Sequence, residues 1–515
     1  MTSSTLDSVT GGLLTYDKAF GGWSGKCLAG AIGMPYEGVP SPLQIQVQDI
    51  TVQDVPNDDL ELQLVWLVAA ERCGHALTSR HLADFWTESI RHGCDEYSIA
   101  IRNLRRGIEA PYSGEYDNWF HDGMGAAIRS EIWAMLFPGQ PEAAAHFAEK
   151  DAVVDHWGEG VWAEIFLAVA ESQAIATSEI EDSLRFAHLQ LPEDSRLFRG
   201  LALVFELYDA GTELEAARQT ILNRLYHPNF TDCVMNLGFI VFALLWGKSE
   251  FLPTILLAVN CGRDTDCTAA TCGAMLGLAF GSKAIPEEWL ARVSSELRLS
   301  PNIAAISGVP RTLEELCTRT LALQERLAAD SSPKQYRPYT PLPASKPDRF
   351  DKAQWLVLDE IEHDIPAIKE RLLQGGTCPG ELREFIVETH GLRFDLSSHA
   401  HEANTLNLFS FLEVKNPSAE SDEVVLSVTA DVGLTLWLDR QRVLNHHSRQ
   451  LAIPSFHRTE GGAAFHYPLS HGDRKLVHLK LYSCAVPLGC TLMFGNTSND
   501  HLDGFHLTMP SQPKP

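Results

Sequence analysis

The chain has 515 residues, 41 of them Lys or Arg and 67 Asp or Glu, for a formal net charge of −26. That length gives ample core and predicts two or more domains, while the acidic balance excludes non-specific binding to nucleic acid or anionic membranes, which needs a basic face. The 11 cysteines are scattered without a CxxC pair, which fits free thiols in a reducing cytoplasm. Met1 to Gly12 lacks the charged-then-apolar pattern of a signal peptide, and the longest apolar runs, such as Met235 to Gly247, are too short to span a bilayer.

Tyr16 to Gly38 is rich in Gly and Ala at helical spacing. It predicts a tightly packed first helix ending near Gly33, with Glu37 in the loop after Pro35. Pro56-Asn57-Asp58-Asp59-Leu60-Glu61 then precedes the apolar run Leu62 to Ala70. Asn57 or Asp58 can cap that helix, which places Asp58 and Asp59 in its first turn and Glu61 one turn on from Asp58. Leu60 to Cys73 and Ser79 to His92 read as amphipathic helices, and Gly107 to Phe120 as a polar, aromatic loop. Asp122-Gly123-Met124-Gly125 leads toward Arg129. A Gly-rich turn of this kind offers free N–H groups to an anion, or simply lets a helix start pack closely. Arg129 reads as a buried arginine paired with a carboxylate. Pro141 to Ala174 is strongly helical, with His156 placed either to cap a helix C-terminus or to face a pocket. Leu197 to Arg224, Asn236 to Gly247, Phe251 to Asn260 and Thr312 to Ala329 complete a helical region.

Between the last two of these lies Asn260 to Gly281, NCGRDTDCTAATCGAMLGLAFG. It opens with the turn Gly262-Arg263 and sets Asp264, Thr265 and Asp266 at a helix start, where the dipole and free N–H groups favour negative charge. Asp266 as an N-cap with Asp264 solvated is one reading. The other is that Asp264 and Asp266 share one hard cation. The small residues that follow let other helices approach, so the turn can sit deep in a bundle. Two helices that both begin with paired Asp can bring four carboxylates together, and such a cluster repels itself unless a metal neutralises it. Oxygen-only ligands point to Mg²⁺, Mn²⁺ or Ca²⁺ and argue against zinc.

Residues 331–350 carry five prolines in twenty positions and read as an extended linker. Gln354 to Gln374 reads as a return to helix, stopped at Gly375-Gly376. From about Glu384 the period becomes two: Val424, Leu426 and Val428, then Leu434, Leu436 and Leu438, then Val477, Leu479 and Leu481. Turn residues separate these runs, which predicts an antiparallel β-sandwich. His446, His447 and His457 read as loop histidines. The expected organisation is therefore multidomain: an all-α bundle over 1–330, a Pro-rich linker and connecting helix over 331–383, and a sandwich over 384–515. The sandwich loosely resembles sugar-associated modules appended to glycosidases, which implies a carbohydrate contact.

The paired acidic motifs, in this order and at this separation, resemble those of the ADP-ribosylglycohydrolase family, over roughly residues 16–290. Members carry a Thr-Asp-Asp-type motif near the N-terminus and a Gly-x-Asp-Thr-Asp-Thr-type motif near the end of an all-α domain. The resemblance implies that Asn57, Asp58, Asp59, Asp264, Asp266 and Cys267 surround one or two divalent cations, Mg²⁺ or Mn²⁺. It implies catalytic roles for Glu37 and Asp59, and substrate contacts at Gly123, Met124, Gly125, His156 and Trp157, the last able to stack on a base or sugar ring. Four positions depart from the family pattern: Ala31 for Asp, Asn57 for Thr, Met124 for Asn and Cys267 for the final Thr. A thiol is a poor ligand for Mg²⁺, so Cys267 implies an empty vertex, a softer metal, or plain packing. The expected activity is metal-dependent hydrolysis of a ribosyl glycosidic bond in a small-molecule or protein-linked substrate. An O- or N-glycosidase acting on a furanoside, nucleoside or other carbohydrate, and a catalytically silent binding protein of the same fold, are the alternatives.

Overall fold

The structure is a computed structural model that describes residues 13–52, 58–91, 93, 95–301, 303, 306–330, 337–343, 352–401, 404–418, 423–447, 451–457 and 463–510. The chain divides into two compact units, residues 1–91 with 103–344, and residues 92–102 with 345–515. The helices run α1 (Tyr16–Gly33), α2 (Asp58–Cys73), α3 (Ser79–Ser89), α4 (Asp95–Arg105), α5 (Tyr112–Glu115), α6 (Ser130–Leu136), α7 (Pro141–Ala152), α8 (Glu159–Thr177), α9 (Ile180–His188), α10 (Arg196–Asp209), α11 (Leu214–Arg224), α12 (Cys233–Trp246), α13 (Phe251–Asn260), α14 (Thr265–Phe280), α15 (Glu287–Leu290), α16 (Leu313–Ala328) and α17 (Ile365–Gly375). No helix among the described residues is long and apolar enough to cross a membrane, and no disulfide joins the described cysteines.

The helical unit is organised around α12 and the pair α1–α14. The run CVMNLGFIVFALLW makes α12 apolar on every side, so it is buried throughout except for its last residue, Trp246. Helices α1 and α14 meet backbone to backbone through their glycines. A Cβ on Gly25 would stand 2.1 Å from the Gly273 carbonyl oxygen, one on Gly277 2.0 Å from that of Gly21, and one on Gly33 2.2 Å from that of Thr265. These contacts fix the first turn of α14 against the last turn of α1, where Thr265 Oγ1 donates to Gly33 O at 2.9 Å. Gly277→Ala therefore forces two main chains apart, with an expected loss of roughly 3 kcal/mol. Denaturant unfolding checks this, and a loss below about 0.5 kcal/mol, the range of an ordinary surface change, would show that the helices separate freely.

The second unit is two antiparallel sheets. The larger runs β2 (Ile386–His390), β1 (Lys352–Asp359), β4 (Asn404–Val414), β9 (Arg474–Cys484), β6 (Leu434–Leu438), β7 (Gln441–His446), with β11 (Phe505–Thr508) also on β4. The smaller runs β3 (Arg393–Asp395), β10 (Gly489–Gly495), β5 (Val425–Ala430), β8 (Ala463–His466). Leu408, Leu412, Val477 and Leu479 from the larger sheet share one core with Leu426, Val428 and Cys490 from the smaller, which is the face-to-face packing of a sandwich. Helix α17 covers the other side of the larger sheet, against Leu356, Leu358, Phe409 and Leu476.

The sequence reading of 354–374 as one helix is corrected here: Lys352–Asp359 is strand β1. Trp355 and Val357 face the sandwich core while Leu356 and Leu358 face α17. Burial on both faces turns alternation into a continuous apolar run, and the period-two signal disappears.

Candidate functional site

The turn Gly262–Arg263 reverses the chain with φ of +71° and +70° and is clamped to the loop after α1. Gly38 N donates to Arg263 O at 2.8 Å, and Arg263 N donates to Val39 O at 3.0 Å. The clamp brings Glu37 beside the start of α14. Asp264 is the N-cap of α14, yet its side chain makes no capping hydrogen bond and is 2% exposed. The reading in which Asp266 caps and Asp264 is solvated is thereby corrected: Asp266 lies inside the first turn and is buried as well.

Helix α2 delivers Asp59, 1% exposed, to the same place. Ligand atoms of Asp59, Asp266 and Cys267 lie within 4.8 Å of one another, and so do those of Glu37, Asp264 and Asp266. Asp266 belongs to both groups, so the carboxylates form one acidic rail with exposed Glu37 as its solvent end. Asn57 lies outside the described residues, as does the side chain of Asp58.

The electrostatics of the rail fit a cation. Burial pushes Asp264 up to about 8, and the charges of Glu37 and Asp59 push the same way, against hydrogen bonds with Cys267 and Asp266. Asp264 Oδ2 is buried and accepts no hydrogen bond among the described residues. An oxygen in that state is costly unless a cation or proton satisfies it. Three buried carboxylates and an exposed fourth suit a hard divalent ion, and the thiol of half-buried Cys267 adds a soft donor within reach.

Behind the rail, Gln63 holds α2 in place. Its Nε2 donates to Asp59 O at 3.1 Å, to Ile128 O at 3.1 Å and to Glu131 Oε2 at 2.8 Å, while its Oε1 accepts from Ile132 N at 2.9 Å. Glu131 also pairs with fully buried Lys26 at 2.7 Å. Burial alone would lower the Lys26 pKa; the charges of Glu131, Asp59 and Glu171 outweigh it and hold the ammonium above its usual value.

The remaining sequence candidates cluster around Arg129 instead. Gly123, Met124 and Gly125 lie in a buried turn followed by a short 3₁₀ segment, so they do not open an α-helix. Met124 is 1% exposed and sits in the apolar core with Leu28, Ile32 and Phe166. His156 is fully buried; its Nε2 accepts from Ala126 N at 3.3 Å, and its Nδ1 lies 3.1 Å from Asp155 Oδ1. Acceptance at Nε2 leaves the proton on Nδ1, beside Asp155, and these contacts correct the helix-capping reading. Trp157 is half-buried and stacks on Tyr112 at 6.2 Å. Arg129 is the buried, carboxylate-paired arginine that the sequence suggested, bound to Asp151 at 3.0 Å and Asp155 at 2.9 Å.

Sequence reasoning missed Glu164 and Glu171, fully buried and seven residues apart on α8. Burial raises both well above the ordinary carboxylate value, reinforced by Asp151 at Glu164 and by Glu131 at Glu171. Two acidic residues at i and i+7 inside the apolar run from Val161 to Ile175 were the available signal. A cavity of about 240 Å³ is lined by Ala31, Met34, Leu60, Glu61 and Leu64, from the C-terminal end of α1, the segment after it and the start of α2.

An uncharacterized protein of Archaeoglobus fulgidus is 28% identical over 237 residues, covering 44% of this chain and 66% of the relative. Proteins described as ADP-ribosylarginine hydrolase Tri1 match at 32% identity, over 81 residues in Serratia proteamaculans and 75 in Pseudomonas putida. The chain spans only 22% and 20% of those two relatives. A solved structure described as an ADP-ribosylglycohydrolase-related protein complex aligns with 60% of this chain and 98% of its own, at 20% identity and a TM-score of 0.41. The ADP-ribosylglycohydrolase profile matches residues 13–330, which takes in the whole acidic rail and well over half of the sequence, and the chain belongs to that family.

Proposed function

We propose that the chain is a divalent-cation-dependent hydrolase of the ribosyl glycosidic bond in ADP-ribosylated substrates. The observation that carries this reading is the meeting of Asp59 with Asp266 and Cys267, and of Asp266 with Asp264 and Glu37, from stretches some two hundred positions apart. Asp59, Asp264, Asp266 and Glu37 would hold the ion, with Asp58 and Asn57 next to them in sequence. Mg²⁺ or Mn²⁺ bound there supplies a Lewis acid that lowers the pKa of water and orients it. The chain's own contribution is electrostatic and acid–base. Glycoside cleavage passes through an oxocarbenium-like state, and the buried carboxylates stabilise its developing positive charge. Glu37, which alone among the described carboxylates of the rail faces solvent, carries protons between the site and water. The Tri1 relatives favour a linkage through an arginine guanidinium.

The test is release of ADP-ribose from ADP-ribosyl-arginine and ADP-ribosyl-serine, and of aglycone from aryl furanosides, with Mg²⁺ or Mn²⁺. Turnover is expected on the arginine conjugate, silenced by excess chelator, with kcat falling about 10²–10⁴-fold in Glu37→Gln. Turnover confined to the furanosides would move the assignment to a general furanosidase. Full turnover in chelator would overturn the metal role, and failure to take up any divalent cation would point to a catalytically silent protein.

A further inference from the structure

Next to the carboxylate loop the helical unit holds another cavity, of about 130 Å³, with Ser41, Gln219, Asn223, Tyr226 and Arg263 in its walls. Two donors there are unused: Arg263 Nε and Ser41 Oγ are both buried and have no hydrogen-bond partner among the described residues. Buried donors without acceptors are costly and uncommon. Both residues line this cavity, one of them charged, and their unused donors indicate a missing acceptor. No carboxylate among the described residues pairs with Arg263, whose guanidinium instead lies 4.8 Å from the centroid of the exposed Tyr226 ring. That stacking leaves the planar fork free for a two-pronged partner. Gln219 and Asn223 add amide groups at the same wall.

We propose that this cavity is an oxyanion site that takes a phosphate group, gripped by Arg263 and the Ser41 hydroxyl. In a chain of net charge −26, an anion needs such local donors to bind at all. The site is wired to the acidic rail through the main chain. Arg263 immediately precedes Asp264, and its N–H and C=O are the two groups that clamp the loop of Glu37. An anion here and a cation on the rail attract, so each favours the other. The phosphate can belong to a nucleotide-type ligand reaching over from the rail or be free in solution. The assignment stands independently of the hydrolase reading.

Calorimetric titration of the full chain with inorganic phosphate, and separately with ADP-ribose, tests it. Excess EDTA keeps phosphate from being captured through a rail-bound cation. Wild-type protein is expected to bind phosphate at millimolar concentration, with affinity at least tenfold weaker in Arg263→Gln and several-fold weaker in Ser41→Ala, while circular dichroism and unfolding temperature stay unchanged. Phosphate that competes with ADP-ribose assigns the site to the nucleotide's phosphates; additive binding assigns it to the free anion. No phosphate heat in the wild type, or equal affinity in wild type and Arg263→Gln, overturns the proposal. Should Arg263→Gln fail to fold, equal affinity in wild type and Ser41→Ala does the same.

Discussion

Asp264→Asn is expected to abolish divalent-cation uptake and, in protein stripped of cations, to raise the unfolding temperature. The two effects have one cause. Asp264 is fully buried, and its carboxyl is pushed up to about 8, first by burial and then by the charges of Glu37 and Asp59. In the unfolded chain the same group titrates near 3.9. Its stabilising contribution is complete below that lower value, is lost as pH rises, and is gone above about 8, because the folded state is the one that holds the proton. Cation-free wild type should therefore lose stability between pH 5 and pH 8, by at most about 1.4 kcal/mol per pH unit. Asn keeps the shape without the ionisation, so that slope should shrink in the variant. With Mg²⁺ or Mn²⁺ at a hundredfold over its Kd, the wild type should gain about 2.7 kcal/mol and the variant nothing. Scanning calorimetry at several pH values, with and without EDTA, reads both effects. A flat wild-type stability profile across that range, or full cation occupancy in Asp264→Asn, would remove Asp264 from the ligand set.

The rail was legible in the sequence because its chemistry is local: paired Asp at two helix starts, each followed by an apolar or small-residue run. The route by which the two ends meet was legible only in part. The Gly and Ala content of α1 and α14 announced close packing, whereas the register that sets Gly33 on Thr265 is a property of two backbones in contact. The second layer was hidden. Gln63 looks like any helix residue, and only folding reveals that its amide joins Asp59, Ile128, Ile132 and Glu131. Met124 and His156 show what resemblance leaves out: it implies substrate contacts there, and folding adds the apolar packing around Met124 and the contacts of His156 with Ala126 and Asp155. In the second unit, alternation identified β5, β6 and β9, but β1 was invisible because burial on both faces erases the pattern that identifies a half-exposed strand.

Arg129→Met is expected to destabilise the helical unit by about 3–5 kcal/mol, the cost of breaking a buried pair from one side. The arginine is fully buried between Asp151 and Asp155, donates to Gly125 O at 2.6 Å, and lies over the Trp86 ring at 5.4 Å. Burial alone would raise the Asp155 pKa, but Arg129 and His156 outweigh it and hold Asp155 below its ordinary value, as an anion. Glu164 nearby is driven the other way, first by burial and then by the charge of Asp151. Methionine fills the volume but supplies no charge, so Asp155 must take up a proton or stay buried and unpaired. The lost stability should thus be largest near pH 8 and partly recovered near pH 5, where protonation is cheaper. Asp155→Asn in the same chain should restore part of the loss, giving a non-additivity on the order of 1–3 kcal/mol. Denaturant unfolding of the single and double variants at the two pH values measures it. Strict additivity, or a loss below about 1 kcal/mol in Arg129→Met, would mean that water reaches these carboxylates. Asp155 also orients His156, whose Nε2 holds the backbone at Ala126. The ion cluster is therefore what keeps the turn at Gly123–Gly125 closed, and the single variant is expected to make that turn the first protease-sensitive segment of the helical unit.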